Sequence, residues 1–231
     1  LVVAIPIPVV AGVDKPPAPT NNPPVVPPKP TPGPGNASAP VAKLSFEEAI
    51  VRIAKDTSTD GLNNYGRFVG DPTETKGRVG QAVAFDGVKD MVAVRNSSNI
   101  NRGIHDERTV SLWFQVDDTA SKKKQVIYEE GGAGRGLNIY VEEDLLYVGG
   151  WNRGQSKWAG DWVESKKVTS DQWHHVALVL DGEETVTNGA LTAYLDGQNV
   201  GEVKGSQLWD HADGIGLGNV NGKTRFKSGV S

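Results

Sequence analysis

Apolar and polar residues alternate along much of the chain after residue 80, and this alternation predicts β-strands that each bury one face. Clear examples are TVSLWFQV at residues 109–116 and HHVALVLD at residues 174–181. In the first example, the apolar residues of one face are Val110, Leu112, Phe114 and Val116. Strands do not alternate with helical segments, so we predict antiparallel sheets and an all-β fold.

Aspartate–glycine pairs end several of these runs, at residues 86–87, 181–182 and 196–197. Such pairs predict tight hairpins, because both residues tolerate the positive φ that the turn requires. Many short strands joined by turns are typical of a β-sandwich. One segment is ambiguous, since residues 45–55 (SFEEAIVRIAK) fit a helix while residues 42–46 (AKLSF) fit a strand.

The prolines divide the chain into three parts, because thirteen of the fourteen precede residue 41. Residues 1–13, from Leu1 to Val13, are apolar and β-branched. Residues 14–40 are rich in proline and predict an extended linker, which could span about 80 Å at about 3.1 Å per residue. Residues 41–231 have the composition of a globular domain.

Charge and cysteine content exclude several classes of function. The formal net charge of −4 offers no basic surface for nucleic acid. There is no run of 18 apolar residues, so we expect no membrane span. The chain has no cysteine, which excludes disulfides, thiolate metal sites and a thiol nucleophile.

Five segments in order carry a resemblance to a known family: FDGVKDMVAV (85–94), RTVSLWFQV (108–116), DQWHHVALVLDG (171–182), LTAYLDGQNVGE (191–202) and GIGLGN (214–219). Together they resemble the laminin-G-like, concanavalin A-like lectin/glucanase domains of bacterial extracellular proteins. The resemblance implies a jelly-roll sandwich of two antiparallel sheets, at the cell surface or outside the cell. It also implies binding to glycans, proteins or cell surfaces, often with one calcium ion.

The resemblance further implies a strand after TRFKSGV (224–230), which would lie beside the first strand of the domain near residues 44–46. The chain as given ends before that strand, so we expect a sandwich that lacks one strand. Residues 1–13 therefore have two interpretations. They are a remnant of a preceding domain or export signal, or they are a strand supplied to a neighbouring copy. In the second case the protein self-associates as the subunit of a filament.

Three tryptophans cluster among polar residues in YVGGWNRGQSKWAGDWV (147–163). Trp158 and Trp162 are four residues apart, so on a regular strand they would lie on the same face and could form a platform on which a sugar stacks. Trp151, with Asn152 and Arg153 next to it, could complete the binding site. The alternative is that these rings are core residues. We expect Trp113, Trp173 and His175 to be in the core, because they lie in alternating strands.

Loop residues near the Asp-Gly pair at residues 86–87 offer hard oxygen ligands for calcium, namely Asp60, Asn63, Asp86 and Asp90. The alternative is that they are ordinary turn residues, since Asp and Asn favour turns. His174 and His175 cannot chelate a metal together, because neighbouring side chains on a strand point to opposite faces.

Enzymes of the laminarinase type in this family carry Glu-x-Asp-x-x-Glu on one strand, which places two carboxylates across the scissile bond. The nearest match here begins at Glu142, and Tyr147 stands where the last carboxylate is needed. We therefore predict a non-catalytic extracellular binding or adhesion module for carbohydrate or a cell-surface ligand. The alternatives are the filament subunit described above and a glycoside hydrolase-like enzyme.

Overall fold

The structure is a computed structural model that describes residues 1–4, 40, 42–46, 52–59 and 63–231. Its strands all pair in antiparallel fashion, which confirms the predicted all-β sandwich. The nine-stranded sheet contains, in spatial order, β12 (Trp158–Ser165), β11 (Leu145–Asn152), β10 (Arg135–Glu142), β9 (Gln125–Gly131), β16 (Ile215–Leu217), β7 (Met91–Val94), β4 (Gly66–Val69), β3 (Ile53–Asp56) and β2 (Leu44–Ser45).

The seven-stranded sheet contains, in spatial order, β15 (Gln198–Gly205), β14 (Thr187–Leu195), β13 (His174–Asp181), β8 (Glu107–Gln115), β1 (Val2–Ala4), β6 (Gln81–Ala84) and β5 (Thr73–Lys76). A short hairpin follows near the end of the chain, formed by β17 (Arg225–Phe226) and β18 (Gly229–Val230). The described part of the chain contains no helix long and apolar enough to cross a membrane.

The main core lies between the two sheets. From the seven-stranded sheet, Leu112 and Leu178 are fully buried in it, and Leu137 and Val148 pack against them from the nine-stranded sheet. Burial of these apolar side chains is the main force that holds the sandwich together. A smaller apolar cluster lies on the outer side of the nine-stranded sheet, where the chain after β16 covers it.

The prediction that Trp113, Trp173 and His175 are core residues is wrong. All three are partly exposed, and His174 is the buried histidine of the pair. Trp113 pairs with His175 across β8 and β13 on the outer face, with the two ring centroids 5.2 Å apart. Both faces of β13 carry apolar residues, so alternation alone did not show which of its faces turns inward. In β8, Trp113 lies on the face of Thr109, Ser111 and Gln115, so the alternation of that strand already pointed it outward.

The ambiguous segment at residues 45–55 does not form a helix in its described parts. Leu44–Ser45 is strand β2, and Ile53–Asp56 is strand β3, which pairs with it. Residues 47–51 lie outside the described residues. Within the described part, β2 is at the edge of the nine-stranded sheet and pairs only with β3.

The first residues of the chain form a strand within the sandwich. Val2–Ala4 lies between β6 and β8 and pairs with both. The strand that we expected to be missing beside residues 44–46 belongs to the nine-stranded sheet, whereas β1 fills a position in the seven-stranded sheet. Residues 5–39, which include almost all of the Pro-rich linker, lie outside the described residues.

The loops gather at two ends of the sandwich. At one end the loops after β7, β9 and β11 meet, because Arg153 N donates to Gly134 O and His211 N donates to Asn101 O. We call it the Asn96 end. At the other end, which we call the Asp86 end, Asp86 lies near Asp117 and Asp118, and Asp144 N donates to Thr119 O.

Candidate ligand-binding face

A partly exposed tryptophan lies on the outer face of the nine-stranded sheet. Trp162 on β12 stands opposite Gly149 on β11, and Tyr147 stands opposite Glu164 in the same register. A Cβ atom on Gly149 would come within 2.3 Å of Trp162 Cδ1, so only glycine lets the indole lie against the strand. We call Tyr147, Gly149 and Trp162 the aromatic patch.

The indole of Trp162 is held in place from two sides. Its Nε1 donates to Asn138 Oδ1 at 2.8 Å, and Asn138 Nδ2 donates to Arg225 O at 2.7 Å. Below it, the fully buried Trp151 stacks at a centroid distance of 6.1 Å and donates from Nε1 to Gly132 O at 2.8 Å. These contacts fix the orientation of a ring that is still accessible to solvent.

The second ring of the aromatic patch is supported by other aromatic side chains. Tyr147 stacks on the buried Tyr140, with their ring centroids 4.6 Å apart and their planes 7° apart. Phe226 of the terminal hairpin meets Tyr140 edge-on at 4.9 Å. Lys227 lies over the Tyr147 ring, with Nζ 5.8 Å from the centroid, and forms an ion pair with Glu164. Charged groups therefore border the aromatic patch on this side.

Trp158 and Trp162 do not lie on the same face of β12. The prediction that the two rings form one platform is therefore wrong. Trp158 is 1% exposed and packs in the core between the sheets. The alternation fails because Gly160, with a φ of 119°, lies between the two tryptophans. The pairing of β11 with β12 also shifts register between Gly150 and Asn152.

Asn152 and Arg153 lie at the Asn96 end of β11. Asn152 is buried, and its Nδ2 donates to Ser156 Oγ at 3.1 Å and to Gln207 O at 2.9 Å. It therefore secures the loop after β11 and does not face solvent. Arg153 is exposed. Of the five predicted ligand-binding residues, Trp162 and Arg153 present side chains at the surface, while Trp151, Trp158 and Asn152 are buried.

The model of the Concanavalin A-like lectin/glucanases superfamily matches residues 86–230, which is more than half of the chain. The chain belongs to this superfamily. The match confirms the family that the five sequence segments indicated.

Solved structures similar to this superfamily member include two binding domains. One is the binding domain of Paraclostridial Mosquitocidal Protein 1, with 14% identity, a TM-score of 0.55 and coverage of 73% of this chain and 42% of that chain. The other is the Botulinum Neurotoxin serotype G binding domain, with 11% identity, a TM-score of 0.51 and coverage of 71% and 40%. The chain thus spans about two-fifths of their length. A search of curated proteins found no match.

Asp86 and Asp90 stabilise a turn at the Asp86 end of this sandwich. Asp86 Oδ1 accepts hydrogen bonds from the backbone N–H groups of Val88, Lys89 and Asp90. These bonds, the one from Val88 above all, hold the pKa of Asp86 below its usual range. The Asp90 carboxylate accepts from Asp71 N at 2.7 Å and Asp86 N at 3.1 Å.

Asn63 lies far along the strands from these aspartates. It precedes β4, whose residue Gly66 pairs with Val94, so Asn63 is at the Asn96 end. Asp60 lies outside the described residues. Asn63 therefore does not share a site with Asp86 and Asp90. Among the described residues, no three acidic, histidine or cysteine side chains are grouped to hold a metal ion.

The acidic segment that resembles a catalytic motif does not run along one strand. Glu142 is the last residue of β10, and Glu143 and Asp144 form the turn, with φ values of 49° and 64°. Glu142 forms an ion pair with Lys124 at 2.9 Å, and Asp144 Oδ1 accepts from Thr119 Oγ1 at 2.8 Å. Alternation on a strand cannot aim these carboxylates at one bond.

Two buried glutamates were missed by the sequence reasoning, although two adjacent Glu residues within an apolar strand are a visible signal. Glu130 points into the core, where Tyr128 donates to it at 2.9 Å and Arg108 approaches at 3.7 Å from the other sheet. Glu129 points to the outer side and accepts from Asn221 N at 2.7 Å. Burial raises the pKa of Glu129 to about 8.

Proposed function

We propose that this chain is a non-catalytic binding module whose aromatic patch recognises carbohydrate or a glycan-bearing cell-surface ligand. The observation that carries the proposal is the Trp162 ring, which is partly exposed yet fixed by Asn138 and Trp151. Sugars present apolar C–H faces that pack on such rings, with a contribution of about 1 kcal/mol for each ring beyond the area buried. A ring that is already oriented loses little entropy on binding.

The surroundings of the patch suit a polar ligand with apolar faces. Glu164 and Lys227 are exposed beside Tyr147. These groups supply hydrogen-bond donors and acceptors for sugar hydroxyls. Recognition sites commonly combine apolar contact with a few placed polar groups.

Two observations support a role without catalysis. The acidic segment that begins at Glu142 turns between two strands and does not line one of them. Both similar structures are described as binding domains. An extracellular or cell-surface location fits this role and is part of the proposal. Calcium at Asp60, Asn63, Asp86 or Asp90 also remains a proposal, so the binding measurement includes an arm with EDTA.

The test is binding of the full chain to a panel of immobilised glycans, with Trp162→Ala as the variant. Trp113→Ala is the matched control, because Trp113 is also partly exposed but lies on the outer face of the other sheet. We expect Trp162→Ala to weaken binding by about fivefold to tenfold and Trp113→Ala to leave it unchanged. Equal binding by all three proteins, or no glycan bound by the unchanged chain, would refute the proposal.

A further inference from the structure

We propose that protonated Glu129 is a latch that keeps residues 219–231 against the outer face of the nine-stranded sheet, and that loss of its proton loosens these residues and the aromatic patch with them. We call residues 219–231 the covering segment. The latch itself depends only on the surroundings of Glu129. The consequence for ligand binding rests on the proposed function.

The carboxyl of Glu129 is buried beneath the covering segment. Glu129 is 0% exposed, and Asn221 N of the covering segment donates to its Oε1 at 2.7 Å. Thr224 of the same segment is also fully buried. Glu129 Oε2 is buried without a hydrogen-bond partner among the described residues. Because a charged carboxylate with an unpaired oxygen is costly to bury, the closed arrangement favours the neutral acid.

The groups around Glu129 add to this preference. The charges that act on it most strongly are the carboxylates of Glu130 on the same strand and Asp213 in the loop before β16. Its Cα partners on the neighbouring strands are Asn138 on β10 and Gly216 on β16, and neither carries a charge. Burial is the largest cause of the raised pKa of Glu129, which is about 8.

The cations of the covering segment are at the surface. Lys223 and Lys227 are exposed, Arg225 is partly exposed, and Lys227 is paired with Glu164. A Glu129 carboxylate is therefore stabilised more by water than by its closed surroundings. Since the open arrangement binds the proton less tightly than the closed one, opening becomes more favourable as pH rises from about 4.5 to about 8.

The latch and the aromatic patch lie in one row across the sheet. Cα pairing joins Glu129 to Asn138, Asn138 to Gly149, and Gly149 to Trp162. Asn138 Oδ1 accepts from Trp162 Nε1, and Asn138 Nδ2 donates to Arg225 O of the covering segment at 2.7 Å. Loosening the covering segment removes the bond that orients Asn138, and Trp162 is then held less firmly.

The covering segment also supports the other ring of the aromatic patch. Phe226 meets Tyr140 edge-on, and Lys227 N donates to the Tyr140 hydroxyl at 3.2 Å. Tyr140 in turn stacks on Tyr147. Ligand affinity at the patch should therefore fall as pH rises from about 5 to about 8. By linkage, a bound ligand should keep the covering segment closed.

Hydrogen–deuterium exchange tests the latch without any ligand. The full chain is compared with Glu129→Gln from about pH 6 to about pH 9, because glutamine keeps the acceptor for Asn221 N–H but has no proton to lose. Exchange is measured in the covering segment and, by NMR, at the Trp162 indole N–H. The ratio of the two proteins at each pH removes the pH dependence of the exchange reaction itself. We expect both ratios to rise by up to about tenfold per pH unit and to level off above about pH 8.

Glu143→Gln is the matched control, because Glu143 is exposed, and it should behave as the unchanged chain does at every pH. Exchange in β8 should stay slower than in the covering segment, since the opening is local. A ratio in the covering segment that does not change with pH, or equal exchange in β8, would overturn the latch. A constant ratio at the Trp162 indole would overturn its link to the patch.

Glycan binding by the unchanged chain and by Glu129→Gln at about pH 6 and about pH 9 measures the consequence for the ligand. We expect binding by the unchanged chain to weaken at the higher pH and binding by Glu129→Gln to stay constant. An equal loss in both proteins would contradict the link between the latch and the ligand. Absence of glycan binding at every pH would refute the proposed function alone, because exchange decides the latch.

Discussion

The outer faces of the two sheets each carry one partly exposed tryptophan, yet they are built differently. On the nine-stranded sheet, Trp162 is bonded to Asn138 and rests on the buried Trp151. On the seven-stranded sheet, Trp113 lies beside His175 and under Arg78, whose Cζ is 5.4 Å from the ring centroid. Partial exposure alone therefore does not mark a binding residue. What distinguishes Trp162 is the fixed support below it.

The largest expected difference between the two faces is in stability. Trp151→Ala should lower the free energy of unfolding by about 3–5 kcal/mol, because it removes a fully buried ring and leaves a cavity. Trp113→Ala should cost about 1 kcal/mol, because its ring is partly in water already. Urea denaturation of both variants measures the difference. Equal losses would show that the two faces are supported alike.

The two faces should also respond to pH in opposite directions. Glu129 has a pKa raised by burial to about 8, so the folded state keeps its proton while the unfolded state loses it. This carboxyl therefore lowers stability as pH rises from about 4.5 to about 8. On the outer face of the seven-stranded sheet, burial lowers the pKa of His175. The unfolded chain therefore takes up a proton at this histidine before the folded protein does, and the protein loses stability as pH falls below about 6.5.

Glu129→Gln tests this contrast. The variant should gain on the order of 3 kcal/mol relative to the unchanged protein between pH 5 and pH 8, since glutamine has no proton to lose. Denaturation at several pH values checks the result, with exposed Glu143→Gln as the control. An identical pH profile for Glu129→Gln and the unchanged chain would contradict the raised pKa.

A smaller effect is expected from the side chain that orients Trp162. Asn138→Ala removes the acceptor of the Trp162 Nε1 bond and the donor to Arg225 O, so it should cost about 1–3 kcal/mol of stability. It should also weaken glycan binding, because the ring is no longer fixed. If binding is unchanged while stability falls, Asn138 supports the fold and not the patch.

The smallest effect concerns the cation above Trp113. Arg78→Ala should lower stability by about 0.5–1 kcal/mol, the usual range for an exposed cation–π contact. It should leave glycan binding unchanged, because Arg78 is on the face without the aromatic patch. Thermal denaturation and the glycan panel measure the two effects. A clear loss of glycan binding would mean that the ligand reaches both faces.

Local features of the sequence were enough for several of the strands and for the family. Alternation over residues 109–116 and 174–181 correctly predicted parts of β8 and β13. Asp196 and Gly197 form one of the three predicted hairpin turns, with φ values of 51° and 78°. The other two predictions are wrong, because Asp86 and Gly87 lie between strands of different sheets and the connection from β13 to β14 runs from Asp181 to Thr187. These features succeed because strand periodicity and turn conformation depend on neighbouring residues. The five ordered segments were sufficient to indicate the superfamily.

The tertiary structure decided which residues face solvent, which meet, and where β1 is placed. His175 faces outward because burial depends on the opposing sheet, and the alternation of β13 allows either choice. Trp158 faces inward because the irregular backbone at Gly160 interrupts the alternation of β12. Asn63 and Asp86 are separated because the course of the strands sends their loops to opposite ends. The place of β1 depends on an opening between two distant strands, which no local pattern in residues 1–13 describes.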